Sequence, residues 1–149
     1  MNIDRQILAT LLVLLSMSGC VSDPTFDEYA RSMPPVPADD GRIYIYRITT
    51  VGDAIRPSVR IDGEPVARAI PNGFFYIDLP AGEYEISAAK NTENILPVRL
   101  ETGDEKYVRL EVNFSTSSWQ FTPMLVSADV ANEQMKNTAY TGEKAAETQ

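Results

Sequence analysis

The stretch "VRIDGEPVARAIPNGFFYIDLPAGEYEISA", residues 59–88, decides how the chain folds. Val59 and Ile61 alternate with Arg60, and Asp62-Gly63 then offers a dipeptide that tolerates positive φ and reverses a strand. "PVARAI" (65–70) follows, Asn72-Gly73 makes a second turn, and "FFYIDL" (74–79) forms the next run. Pro80-Ala81-Gly82 leads into "EYEISAA" (83–89), where Tyr84, Ile86 and Ala88 share one face of a period-two pattern. Short apolar runs of this period, punctuated by Gly, Pro, Asn and Asp, read as strands.

Working outward, "RIYIYRI" (42–48) precedes this stretch, and "ILPVRLE" (95–101), "KYVRLEV" (106–112) and "WQFTPMLV" (119–126) follow it, with Gly103-Asp104 as a further turn. Seven or eight strands in about 90 residues predict an all-β domain, an antiparallel β-sandwich of about seven strands with immunoglobulin-like or transthyretin-like architecture. Its bounds are set at residues 41–130. A turn or two of helix is expected over Val126–Lys136, with Ser127 as N-cap and Val130 and Gln134 spaced i, i+4. Residues 131–149 otherwise read as a polar tail.

At the other end, Met1 to Gly19 has a short polar start with Arg5, an apolar run from Ile7 to Leu15, and then small residues. That is a signal-peptide layout, and its apolar core falls short of the roughly 20 residues a transmembrane helix needs. Met17-Ser18-Gly19-Cys20 resembles the bacterial lipobox. The resemblance implies cleavage between Gly19 and Cys20 and a thioether diacylglycerol on Cys20, usually with a third acyl chain on its amine. Two or three chains anchor a protein essentially for good, at about 0.8 kcal/mol per buried CH₂. Val21 is not the Asp that resembles an inner-membrane retention signal, so the expected location is the outer membrane, facing the periplasm. Residues 20–40 then read as a lipidated, Pro-rich tether, about 25 Å in root-mean-square span for a chain of this length. Whether Phe26 and Tyr29 pack on the domain or on the membrane stays open at this stage.

The 149 residues carry a formal charge of −8, which argues against a nucleic-acid partner, because phosphate neutralisation needs a surplus of Lys and Arg. With no His and one Cys, the chain lacks His-based acid/base chemistry, Ser/His and Cys/His nucleophiles, intramolecular disulfides and zinc sites built from His or Cys. Glu83 with Glu85, and Glu101 with Asp104 and Glu105, lie on turns and solvated strand faces. Neither group has the flanking geometry of a glycosidase pair or the ligand number of a calcium loop. "LPAGEY" (79–84) reads as a tight hairpin. No cofactor, metal site or catalytic set is expected.

Arginine usage stands apart, since nine of the 13 basic residues are Arg. With Ile43 and Ile45 turned to the core, Arg42, Tyr44 and Tyr46 point outward. In the same convention so do Arg60, Tyr107 and Arg109. Such an Arg/Tyr face would suit carboxylates, phosphates or sugar rings. The opposite register, with the tyrosines inside, is equally consistent with "RIYIYRI", and ordinary cross-strand pairing explains the same residues. Trp119 and Phe121 read as core.

"GRIYIYR", "VRIDGEPVA", "FFYIDLPAGEYEIS" and "TGDEKYVRLEV" resemble, in their order, the family of domain of unknown function 2846, over roughly Gly41 to Val130. The strand, "DG" turn and "PAGEY" order also resembles the PEGA-type β-domain. The resemblance implies an envelope lipoprotein with an all-β domain and no catalytic residues. The expectation is a non-enzymatic interaction module or accessory subunit with an envelope protein partner. A binder of peptidoglycan fragments or anionic lipids through the Arg/Tyr face is the alternative, and an envelope enzyme a more distant one.

Overall fold

Strand β1 (Asp40–Arg47) is buried along nearly its whole length, and the rest of the fold is arranged around it. The computed structural model describes residues 22–88, 94–115 and 118–142; residues 1–19, read above as a signal peptide, Cys20 and the chain from 143 onward lie outside the described residues. The other strands are β2 (Ser58–Ile61), β3 (Glu64–Arg68), β4 (Gly73–Pro80), β5 (Gly82–Ala88), β6 (Ile95–Leu100), β7 (Glu105–Ser115), β8 (Ser118–Val126) and β9 (Ala139–Tyr140). Two helices complete the set, α1 (Phe26–Tyr29) and α2 (Ala128–Met135).

The strands form a sandwich of two sheets, ordered β8-β7-β1-β4-β9 and β3-β2-β5-β6. Ile43 and Ile45 face inward and meet Val59, Ile86, Leu100 and Phe121, so the isoleucine-inward register is the one adopted. Burying an aliphatic side chain of this size contributes about 2 kcal/mol, and β1 supplies two at the centre. Most pairings are antiparallel, but β1 and β7 run parallel, as do β4 and β9. Parallel neighbours cannot be joined by a hairpin, and the chain visits the second sheet between β1 and β7.

The turns divide into two kinds. Asp62 (φ 52°) and Gly63 (φ 83°) both take positive φ and close the β2–β3 hairpin expected of this dipeptide. "LPAGEY" is not a hairpin, because β4 and β5 belong to different sheets. It is a corner between sheets, held by the Tyr84 hydroxyl donating to the Pro80 carbonyl at 2.7 Å. The Tyr84 ring lies over Gly82, in van der Waals reach of the position a Cβ there would take.

The domain is wider than residues 41–130. Ala131 and Met135 of α2 are fully buried, Thr141 and Thr138 are buried beyond them, and β9 pairs with β4. The residues that pack are Ala131 and Met135, whereas Val130 is 43% exposed. Upstream, residues 22–40 are not a free tether. Thr25 bridges Ala139, the Phe26 N–H donates to Thr138 O at 2.9 Å, and the Tyr140 N–H donates to Pro24 O at 3.0 Å. Phe26, Tyr29 and Met33 then pack against a second apolar cluster on the outer side of the five-stranded sheet.

Candidate functional site

The parallel β1–β7 register sets Tyr44 beside Tyr107 and Tyr46 beside Arg109, with Arg42 in the same outward-pointing row. Five of the six residues expected to share a face therefore do so. Arg60 does not, since β2 lies in the other sheet, where its guanidinium donates to the Gly63 carbonyl at 2.8 Å.

The face they form is covered rather than open. Tyr44, Tyr46 and Tyr107 are buried under the N-terminal segment and α2, and Arg42 is only 2% exposed. The tyrosine rings of 44 and 107 stack at 4.8 Å with planes 4° apart, and both hydroxyls donate to the Glu105 carboxylate, at 3.0 and 3.2 Å. The Tyr46 hydroxyl donates to Gln134 Oε1 at 2.7 Å, which Arg109 also reaches at 3.3 Å. Arg109 pairs in addition with Glu111.

Arg42 organises the opposite end of the row. Its Nε and Nη2 donate to the two Asp78 oxygens at 2.6 and 2.8 Å, its Nη1 donates to the Pro34 carbonyl at 2.9 Å, and its plane lies 4.1 Å over the Tyr76 ring. The Asp78 carboxylate holds the guanidinium even more firmly protonated than usual. Burial pushes the Tyr44 and Tyr76 phenols up to about 12, and raises Tyr46 and Tyr107 as well, with the Glu105 charge adding to the rise at Tyr107. These four phenols stay protonated at neutral pH, and Tyr44, Tyr46 and Tyr107 act as donors. The arrangement is a latch that holds residues 22–36 on the sheet.

Phe26, Tyr29, Met33, Asp78, Glu105, Gln134 and Tyr140 complete this cluster, and sequence reasoning did not assign them to it. The spacing of Phe26, Tyr29 and Met33, at i, i+3 and i+7, is the one signal that marks an apolar stripe there.

Open surface is left at the edge of this row and beyond it. A crevice of about 230 Å³ remains between residues 33–36 and the sheet, lined by Met33, Pro34, Val36, Arg42, Tyr44 and Glu105. A shallower depression of about 410 Å³ lies where β1 ends, between Ile48, Thr49, Arg109, Glu111 and Asn113. Beside it the β7–β8 hairpin carries Phe114, 62% exposed, against Trp119 at 5.0 Å, and loop 48–57 brings Val51, 56% exposed. Arg47 builds that loop from within: fully buried, it donates to the carbonyls of Ile55 (2.8 Å), Val51 (2.6 Å) and Gly52 (3.0 Å). Among the described residues no group of three or more Cys, Asp and Glu is placed to hold a metal ion.

Residues 37–122 match the family described as "Protein of unknown function (DUF2846)". An uncharacterized protein of Haemophilus influenzae is 27% identical over 107 residues, which are 68% of this chain and 64% of that protein. The chain thus spans under two thirds of that relative's length. The N-terminal domain of AlgF from P. aeruginosa, at 18% identity and a TM-score of 0.38, aligns over 59% of this chain and 96% of its own.

Proposed function

The chain belongs to the DUF2846 family, and from that premise we propose that it is a lipid-anchored bacterial envelope protein whose β-sandwich is an accessory interaction module rather than an enzyme. The observation that carries this reading is the apolar run ending in Met17-Ser18-Gly19-Cys20, set only four residues before Pro24, where the fold takes hold. An acylated Cys20 would place a folded module directly at an envelope membrane, and the outer membrane's periplasmic face is the location we assign. The chemistry of the Arg/Tyr row supports a non-catalytic role, because its guanidinium is committed to Asp78 and its phenols to Glu105 and Gln134. Small-ligand binding on that face is less well supported for the same reason, since the chain itself covers most of the row and leaves only the crevice beside Arg42 and Tyr44.

The test is Cys20→Ser in the full chain, expressed in a bacterial host and fed a palmitate analogue. The wild type takes up label and shortens to the length expected for a chain starting at Cys20. The variant stays long and unlabelled, and label on the variant overturns the anchor. Crosslinking the wild type in cells then reads the module role, and a dominant envelope protein partner is the expected product. Crosslinks confined to other copies of this chain count against an accessory role.

A further inference from the structure

The sandwich has two ends, and the chain leading to Cys20 leaves from one of them. Arg47 at the end of β1 pairs with Gly73, Gly73 pairs with Ala139, and Ala139 bridges Thr25. Pro24 is pinned beside it through Tyr140. Four residues of chain reach at most about 14 Å, so Cys20 cannot stand farther than that from Pro24, whatever its conformation.

The same end collects apolar surface. Since β7 runs parallel to β1 and continues past it, Phe114 and Trp119 at the β7–β8 hairpin lie there, as do Ile48 and Val51 in the loop that follows β1. Ile95 joins them, because it pairs with Ser87 at the end of β5, next to the start of β2 and loop 69–73. Ile48, Val51, Ile95 and Phe114 are each at least 40% exposed, and they make up four of the seven large apolar side chains exposed among the described residues.

Charge is distributed in the same sense. Toward the opposite end acids exceed bases, with Asp40, Asp62, Glu83, Glu101, Asp104 and Glu105 against Arg42, Arg60, Arg99 and Lys106. The apolar end is closer to balance, with Arg56, Arg68 and Lys136 against Asp23, Asp27, Asp53 and Glu133. An anionic bilayer would repel the first end more than the second.

We infer that the apolar end, with Phe114 and Val51 foremost, seats on the surface of the bilayer that holds the lipid on Cys20, so that the domain lies against the membrane and turns its acidic end away. This rests on the anchor proposed above. It replaces a 20-residue spacer with a short hinge and one fixed orientation.

Trp119 is the only tryptophan in the chain and stands within the contact, so it reports without a label. The full-length protein, purified from membranes in detergent, is reconstituted in vesicles of phosphatidylethanolamine and phosphatidylglycerol, with or without lipid brominated near the headgroup end of its acyl chains. Flotation of the vesicles reads the anchor separately. Brominated lipid is expected to lower Trp119 emission by roughly half, since groups seated ~5–10 Å into the interface meet the bromines. Phe114→Ser with Val51→Ser should float equally and lose most of that quenching. A Trp119→Phe, Tyr84→Trp double variant, with its reporter at the far end, should be unquenched.

Protein that floats with Trp119 unquenched overturns the orientation and leaves the anchor standing. Protein that does not float overturns both. Trp119 shielded from aqueous iodide but untouched by bromine points to a protein on this surface, and also overturns the proposal.

Discussion

Arg42 and Asp78 stand directly opposite one another in the β1–β4 register, and the guanidinium grips both carboxylate oxygens from a position with 2% exposure. The third arm of the same guanidinium holds the Pro34 carbonyl, so one side chain joins two strands to the N-terminal segment. Removing one partner of a buried pair leaves the other charged and unmatched, which costs about 3–5 kcal/mol when burial is complete. Asp78 keeps 21% exposure and can recover some hydration, so Arg42→Ala is expected to cost about 3 kcal/mol, the lower end of that range. Arg42→Lys keeps the charge and loses the fork, and should fall between the two. Urea midpoints of the three proteins check the order, and equal midpoints for Arg42→Ala and wild type would contradict it.

Residues 22–36 are part of the folded domain, which predicts how truncation behaves. Phe26 meets Phe74 edge-on at 5.1 Å, and Tyr29 stacks on Tyr140 at 3.9 Å with planes 12° apart. Deleting residues 22–36 uncovers Tyr44, Phe74 and Tyr76 together, so a chain beginning at residue 37 should be less stable and prone to associate. Phe26 is half-buried, so Phe26→Ala alone should cost about 2 kcal/mol, below the about 3–5 kcal/mol of a fully buried Phe. Calorimetry of the 22–142 and 37–142 chains decides between a docked segment and a flexible tether, because a tether could be removed without moving the transition.

The strands were legible in the sequence and their partners were not. All eight runs read from "RIYIYRI" to "WQFTPMLV" are strands within a few residues of their expected bounds, because alternation and turn chemistry are local properties. Asn72-Gly73 and Pro80-Ala81-Gly82 look like hairpin turns but carry the chain between sheets, and local turn chemistry is the same in both cases. The register of "RIYIYRI" was ambiguous for a physical reason: β1 is covered on both faces, by the opposite sheet and by residues 22–36 with α2. A strand buried on both faces has no polar side to mark which is outward. The Arg/Tyr row was correctly grouped apart from Arg60, but its cover comes from segments whose composition reads as linker and tail. Nothing short-range in "PPVP" says that Pro34 will meet Arg42.

Arg47 makes a different prediction, because its charge is met by three backbone carbonyls and its Nε has no acceptor. Burial lowers its pKa from the usual Arg value. Arg47→Ala should free loop 48–57 while leaving the sheets in place. Gly52, at φ 68°, rests on Trp119, with the ring 3.2 Å from where a Cβ would stand, so release of the loop uncovers the indole. The expected result is a red shift of Trp119 emission and faster cleavage by protease within 48–57, with the unfolding free energy lowered by about 2–3 kcal/mol for the carbonyls left unpaired. Unchanged emission would mean that the loop holds its shape without the guanidinium.

The buried phenols predict an alkaline limit to stability. Tyr44 and Tyr76 titrate near 12 in the folded chain, and Tyr46 and Tyr107 are also raised, against about 10 for an unfolded tyrosine. Below pH 10 both states hold the proton, and the stability these groups confer is fully present. Above it the unfolded state releases protons that the folded state retains, so ionisation favours unfolding and stability falls as pH rises from 10 through 12. Melting followed by circular dichroism from pH 8 to pH 12 should show a flat stretch and then a steep fall. Absorbance at 295 nm should show part of the seven phenols ionising only as the chain unfolds. Tyr44→Phe removes one such proton together with its hydrogen bond to Glu105, so it should start from a lower midpoint at pH 8 and lose stability less steeply above pH 10. A single tyrosinate transition near pH 10, with the fold intact, would mean that the row beneath residues 22–36 is open to water and the latch is not closed.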